Sequence, residues 1–167
     1  PNLSVKLNKG DTPLRKIINE IKEKLNDFIS VDNSFDMLGQ FYGEFLKYTG
    51  GDKKGLGIVL TPRHVTELFS ELVTLTPSTK VVDTCAGTGG FLIAAMSKMI
   101  SKAKTEEQVN HIKKNCLYGV EFQPNMYSLA ASNMILRGDG KANLYQGSCF
   151  DNQITNEIKN ANIDYAF

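Results

Sequence analysis

A glycine-rich loop between a predicted strand and a predicted helix is the part of this sequence best suited to chemistry. The loop, residues 83–91, reads Asp-Thr-Cys-Ala-Gly-Thr-Gly-Gly-Phe and follows a short apolar run. Glycines at such a turn let the chain reverse tightly and let a ligand approach the backbone. Further along, Glu121 ends a second predicted strand. Parallel strands end at the same edge of a sheet, so Asp83, the loop and Glu121 are expected to lie together.

Three classes of ligand use a loop of this kind. A phosphate-binding P-loop requires a lysine after its last glycine, and this loop lacks it. A dinucleotide fingerprint matches Gly87 and Gly89, but Leu92 stands at the third glycine position. S-adenosylmethionine fits better, because Asp83 suits its cationic groups and the loop amides suit its other polar atoms. A carboxylate such as Glu121 can also accept hydrogen bonds from both hydroxyls of a ribose.

The pattern around the loop divides the chain into three predicted parts. Residues 1–50 form a helical N-terminal segment, with a helix that starts at Thr12-Pro13 and a second over about residues 34–48. Residues 51–57 are polar and glycine-rich, which is typical of a linker. Residues 58–167 alternate strands with helices, which predicts an α/β fold with a parallel sheet. We expect a Rossmann-like methyltransferase sheet of four strands in this part.

The predicted elements of residues 58–167 follow from turn signals and apolar runs. Thr61-Pro62 is interpreted as a second capped helix start, and Pro124 as another first-turn proline, in a helix that ends at Gly138. The predicted strands cover residues 80–83, 117–121, 143–146 and 163–167, and the predicted helices cover 62–73, 91–101, 106–114 and 124–136.

Composition bounds the location and partners of the protein. The 167 residues carry a net charge of +1, so charge alone does not indicate a nucleic-acid binder. No apolar run is long enough for a membrane span, and the first residues do not resemble a signal peptide. The three cysteines are widely spaced, which argues against a disulfide framework or a metal site and favours the cytoplasm.

Four segments resemble motifs of the modification subunits of type I restriction–modification systems. The loop at residues 83–92 resembles the cofactor loop of that family, and residues 60–63, Leu-Thr-Pro-Arg, resemble its threonine-proline-arginine motif. Residues 117–121 resemble its second-strand motif, and residues 35–42 the helix before its linker. The resemblance therefore covers most of residues 34–167.

The resemblance implies N6-adenine methylation of DNA, with S-adenosylmethionine as the methyl donor. It places Val59 to Arg63 at the methionine end of the cofactor, where the free amides of a helix capped by Thr61 would suit a carboxylate. It places Phe122 beside the adenine ring, and Ser148 where family members often have Asp or Asn. The full set of predicted cofactor-binding residues is Val59, Leu60, Thr61, Pro62, Arg63, Asp83, Gly87, Thr88, Gly89, Gly90, Glu121, Phe122 and Ser148.

The resemblance also implies features that these residues do not contain. In the family the fourth strand leads into an Asn-Pro-Pro-aromatic motif that holds a flipped adenine, and we expect that motif just after Phe167. The chain is thus expected to be the cofactor-binding part of a longer enzyme that acts on DNA with a specificity subunit and a restriction subunit. Three alternatives stay open: a single-chain restriction–methylation enzyme, a non-catalytic assembly module and a dinucleotide-dependent oxidoreductase.

Overall fold

A computed structural model describes residues 12–29, 39, 60–138 and 143–167. The chain divides into two compact units, Pro1–Asn33 and Ser34–Phe167. The predicted second helix over residues 34–48 and the predicted linker at residues 51–57 lie outside the described residues, apart from Gly39. The three-part division of the chain therefore stays a prediction.

The first unit contributes one described helix, α1 (Pro13–Ile29). Thr12 caps it, since its hydroxyl oxygen accepts a hydrogen bond from the Arg15 N–H at 3.2 Å. This confirms the predicted start. Within the part of α1 whose side chains are described, the apolar stripe of Leu14, Ile18 and Ile21 is exposed.

The second unit alternates helices and strands in the predicted way. Its described elements are α2 (Arg63–Leu72), β1 (Val81–Asp83), α3 (Gly90–Lys102), α4 (Glu106–Asn115), β2 (Leu117–Glu121), α5 (Pro124–Leu136), β3 (Asn143–Gln146), α6 (Asn152–Asn160) and β4 (Tyr165–Ala166). Pro124 occupies the first turn of α5, and Gly138 follows the helix with φ +76°, as predicted. Among the described residues, no helix combines the length and apolarity required to cross a membrane.

The four strands form one parallel sheet in the order β3-β2-β1-β4. This confirms the predicted α/β class and the parallel sheet. Asp83 pairs with Gly119 across β1 and β2, so the carboxyl ends of these strands meet at one edge. After β3 the chain crosses to the other side of β1, so the order in which strands are added to the sheet reverses between β1 and β4. Open α/β sheets bind ligands beside such a switch point.

Close packing between α3 and the sheet forms the centre of the core. Leu92, Ile93 and Met96 of α3 are buried with Val81 of β1 and Leu117 of β2. The approach is tight at Gly119. There a Cβ atom would lie 2.5 Å from Leu144 Cδ2 and 2.9 Å from Leu92 Cδ1. A side chain at this position of β2 would thus force both leucine side chains to shift.

Three phenylalanines connect this core to the last strand. The Phe91 ring stacks on Phe167 with centroids 5.6 Å apart and an interplanar angle of 14°. It also meets the Phe69 ring of α2 edge-on at 5.5 Å. Such pairs stabilise by about 0.5–1.5 kcal/mol beyond their burial. They join α2, the first turn of α3 and the end of β4.

Two sequence predictions require correction. Helix α6 was not predicted; Asp151 caps it, accepting hydrogen bonds from the N–H groups of Gln153 and Ile154 at 2.8 and 3.3 Å. Thr61 is not a cap, because α2 begins at Arg63 and its N-cap is Pro62, which makes no side-chain hydrogen bond. The first helical hydrogen bonds run from the N–H groups of Val65 and Thr66 to the Pro62 carbonyl, so the helix starts one residue later than predicted.

Candidate functional site

The glycine loop between β1 and α3 is held by three different partners at three successive residues. The Ala86 N–H donates to the Val120 carbonyl of β2 at 2.8 Å. The Gly87 N–H donates to Glu121 Oε2 at 2.8 Å, and the Thr88 carbonyl accepts from Asn133 Nδ2 at 2.9 Å. A main chain, a carboxylate and a side-chain amide thus fix the loop before any ligand arrives, which lowers the entropic cost of binding.

Two glycines of the loop adopt conformations that other residues rarely adopt. Gly87 has φ +55° and Gly89 has φ +86°. A Cβ atom added at Gly87 would meet no atom within 4 Å, so open space adjoins this residue. At Gly89 an added Cβ would lie 3.7 Å from Ala130 Cβ of α5, in ordinary contact. The loop therefore presents open backbone at Gly87 and packs against α5 at Gly89.

Asp83 lies where the sequence predicted, at the carboxyl end of β1. Its side chain is only 4% exposed, and Oδ1 accepts a hydrogen bond from the Cys85 N–H at 3.0 Å. Burial raises its pKa from 3.8 to about 6, the Cys85 hydrogen bond opposes this rise, and the Glu121 charge adds to it. A buried acid with a raised pKa beside a second acid attracts a cationic ligand group, because a nearby positive charge favours its ionised form.

Glu121 ends β2 and uses both carboxylate oxygens within the protein. Oε2 accepts from Gly87, and Oε1 accepts from the Gln123 N–H at 2.7 Å. Each carboxylate oxygen has two lone pairs, so each can accept one more hydrogen bond. The half-buried side chain is therefore fixed in orientation and still has capacity for two further donors.

Two exposed aromatic rings follow β2 and β3. Phe122 is 72% exposed and Phe150 is 90% exposed. Ser148 Oγ accepts a hydrogen bond from the Phe150 N–H at 3.2 Å, so it shapes the turn that carries this ring. Phe150 was not among the predicted residues, although a large aromatic two positions after Ser148 was a signal in the sequence. Exposed aromatic rings at the carboxyl edge of a sheet are suited to stacking on a flat ligand.

The residues of the predicted Thr-Pro-Arg motif lie beside a second space. A cavity of about 470 Å³ lies between α2 and α3, and Leu60, Thr61, Arg63 and Gly90 line it. Arg63 Nε donates to Glu67 Oε1 at 2.6 Å, which orients the guanidinium along α2. Pro62 occupies the N-cap position of α2 and is exposed. Val59 lies outside the described residues.

Most of the described site residues thus form two groups that meet at Gly90, while Phe122 and Ser148 follow β2 and β3. The first group consists of the loop and the acids that hydrogen-bond to its main chain: Asp83, Gly87, Thr88, Gly89 and Glu121. Leu60, Thr61 and Arg63 belong to the cavity, which Gly90 also lines. The sequence analysis did not predict a role for Asn133. Its position between Ala130 and Met134, as a polar residue on an otherwise apolar helix face, was the signal that could have indicated one.

A family model described as N-6 DNA methylase matches residues 33–166 of the chain. The chain belongs to the N-6 DNA methylase family. The match covers the whole sheet, the glycine loop and the cavity between α2 and α3, and it confirms the resemblance found in the sequence.

Named relatives come from restriction systems. The chain is 48% identical over 147 residues to the type II restriction enzyme and methyltransferase RM.BcgI of Heyndrickxia coagulans, covering 87% of this chain and 23% of that protein. It is 35% identical over 105 residues to the type I restriction enzyme HindI methylase subunit of Haemophilus influenzae, covering 62% and 22%. The chain spans about a quarter or less of the length of these relatives.

Solved structures share the fold. A modification subunit assigned to a type I restriction enzyme of Vibrio vulnificus superimposes with a TM-score of 0.61 at 23% identity, over 81% of this chain and 28% of that one. The type I restriction enzyme EcoKI M protein superimposes with a TM-score of 0.53 at 23% identity, over 62% and 23%. At these identities the likeness concerns the fold alone.

Proposed function

We propose that this chain is the S-adenosylmethionine-binding part of a DNA adenine-N6 methyltransferase of a restriction–modification system. The observation that carries the proposal is the glycine loop clamped to Glu121 beside the buried Asp83, at adjacent strand ends. Membership of the N-6 DNA methylase family supplies the reaction class.

The chemistry of these residues fits the cofactor group by group. The ammonium of the methionine part suits the Asp83 carboxylate, and the ribose hydroxyls suit the two remaining acceptor positions of Glu121. The adenine ring suits the exposed rings of Phe122 and Phe150. The carboxylate suits the N-terminal amides of α2 near Arg63. When bound, the cofactor supplies a methyl group on a sulfonium, ready for transfer to an amine.

The residues of this chain bind and orient the donor in this proposal, and the target base is handled elsewhere. We place the Asn-Pro-Pro-aromatic motif after β4, beyond the point where Phe167 stacks on Phe91. DNA, a specificity subunit and a restriction subunit are the proposed partners of the whole protein, since type I and type II restriction enzymes are its relatives. The same proposal includes a cytoplasmic location, and its variant is a protein that joins restriction and methylation, the two activities in the name of RM.BcgI.

Calorimetric titration of the full-length protein with S-adenosylmethionine and, separately, with NAD tests the cofactor assignment. We expect saturable one-site binding of S-adenosylmethionine and none of NAD. The reverse pattern would refute the proposal and favour the dinucleotide alternative, to which Gly87 and Gly89 give partial support. Sequencing the gene beyond Phe167 tests the catalytic assignment, which fails if no Asn-Pro-Pro or Asp-Pro-Pro motif follows.

A further inference from the structure

A polar side chain is enclosed in the apolar face of α5. Asn133 is 0% exposed and lies on the same helix as the buried Met126, Ala130 and Met134. A buried amide costs free energy unless its polar atoms are hydrogen-bonded. Asn133 Nδ2 donates to the carbonyl oxygen of Thr88 at 2.9 Å. The side chain thus reaches from the helix into the glycine loop.

Arg137 orients this amide from one helical turn further on. Its Nη1 donates to the Asn133 carbonyl oxygen at 2.8 Å and to Asn133 Oδ1 at 3.3 Å. If the amide were rotated so that its oxygen and nitrogen exchanged places, the guanidinium and the NH₂ group would face each other as two donors. Arg137 therefore keeps the NH₂ group of Asn133 directed at the loop.

The peptide between Thr88 and Gly89 is held at both of its polar ends. Its carbonyl accepts from Asn133, and its N–H donates to the Ala86 carbonyl at 2.7 Å. Gly89 has φ +86°, and a glycine can rotate its peptides with little steric cost. Loss of the Asn133 amide removes one of these two restraints, so rotation of the peptide becomes easier.

We propose that Asn133 is a positioning residue that fixes the Thr88–Gly89 peptide in the conformation that accepts the methionine half of the cofactor. This inference rests on the proposed function. In the proposed function the Glu121 carboxylate and the exposed rings hold the adenosine half, whereas the Asn133 side chain acts on the Thr88 carbonyl of the loop. Loss of Asn133 is therefore expected to affect the two halves of the ligand unequally.

Binding of two ligands to variants of the full-length protein tests this inference. In Asn133→Ala we expect the Kd of S-adenosylmethionine to rise about tenfold, and the Kd of adenosine, which lacks the methionine half, to change less than about twofold. Arg137→Met, which keeps Asn133 but removes its orienting partner, is expected to weaken S-adenosylmethionine about threefold. This second variant tests the inference if Asn133→Ala does not fold.

Thr79→Val is the matched control. Thr79 is also a buried polar residue, and its hydroxyl oxygen accepts from the Thr76 N–H at 2.9 Å, at the opposite end of β1 from the loop. We expect it to lower the melting temperature without changing either Kd. An unchanged Kd of S-adenosylmethionine in both test variants, or an equal loss for both ligands, would overturn the inference. Failure of the unmodified protein to bind S-adenosylmethionine would instead overturn the proposed function, and this inference with it.

Discussion

Replacement of Glu121 by Gln is expected to weaken binding of S-adenosylmethionine about 10- to 100-fold. The carboxylate accepts from the N–H groups of Gly87 and Gln123 and has two acceptor positions left. Glutamine has one carbonyl oxygen, so its NH₂ group must face one of these two N–H donors or a ribose hydroxyl. Loss of one hydrogen bond to a charged group costs about 1.5–3 kcal/mol, and each 1.4 kcal/mol is about tenfold in Kd.

Calorimetry with adenosine and 2′-deoxyadenosine shows whether the ribose is the group that Glu121 contacts. In the unmodified protein, loss of the 2′-hydroxyl should weaken binding; in Glu121→Gln the two nucleosides should bind alike. Thermal unfolding of both proteins serves as the control for stability. If Glu121→Gln kept the affinity for S-adenosylmethionine, or still discriminated between the two nucleosides as the unmodified protein does, the assignment of Glu121 to the ribose would be refuted.

Three further predictions concern Asp83, Gly119 and Asp151. Burial raises the pKa of Asp83 from 3.8 to about 6, so the folded protein holds this proton more tightly than the unfolded chain does. The protonated carboxyl therefore adds about 3 kcal/mol to the free energy of unfolding below pH ~4, and this contribution is lost as the pH rises through ~6. Asp83→Asn should abolish this pH dependence in urea unfolding between pH 4 and 7. If the variant kept the pH profile of the unmodified protein, Asp83 would not be the cause of the dependence. Gly119→Ala should destabilise by about 1–3 kcal/mol in urea unfolding, because its Cβ would overlap two leucine side chains. No loss of stability would mean that the ends of Leu92 and Leu144 shift at little cost. Asp151→Ala should cost about 1 kcal/mol in the same assay and Asp151→Asn much less, since only the latter can cap α6.

The sequence predicted the alternation of strands and helices because the signals are local. Pro124 and Gly138 bracket α5, and the apolar runs at β1 and β2 are short and bounded by polar residues. Helix α6 was missed because it is short and none of its residues is fully buried, although Ile154 and Ile158 are one turn apart. The start of α2 was placed one residue early, since Thr-Pro is compatible with a cap at either residue.

The sequence predicted the acidic residues at the strand ends of the candidate site, but not the long-range contacts that hold the glycine loop and β4. Asp83 and Glu121 follow from the rule that parallel strands end at one edge of a sheet. The contact between Asn133 and Thr88 joins residues 45 positions apart. It depends on how α5 is rotated against the loop, and a single sequence carries no direct signal for that rotation. The Phe91 stack on Phe167 depends in the same way on the placement of β4 beside β1.

The strand order has a consequence for how such a gene can recombine. All described residues proposed to hold the donor lie between Leu60 and Phe150, on α2 and the ends of β1, β2 and β3. The fourth strand, on the other side of β1, comes after them in the chain. A genetic crossover between β3 and β4 would therefore exchange everything downstream while leaving the donor-binding half intact. In such an exchange the main requirement at the junction is that the incoming strand can pair with Val81 and Val82 and place an aromatic ring against Phe91.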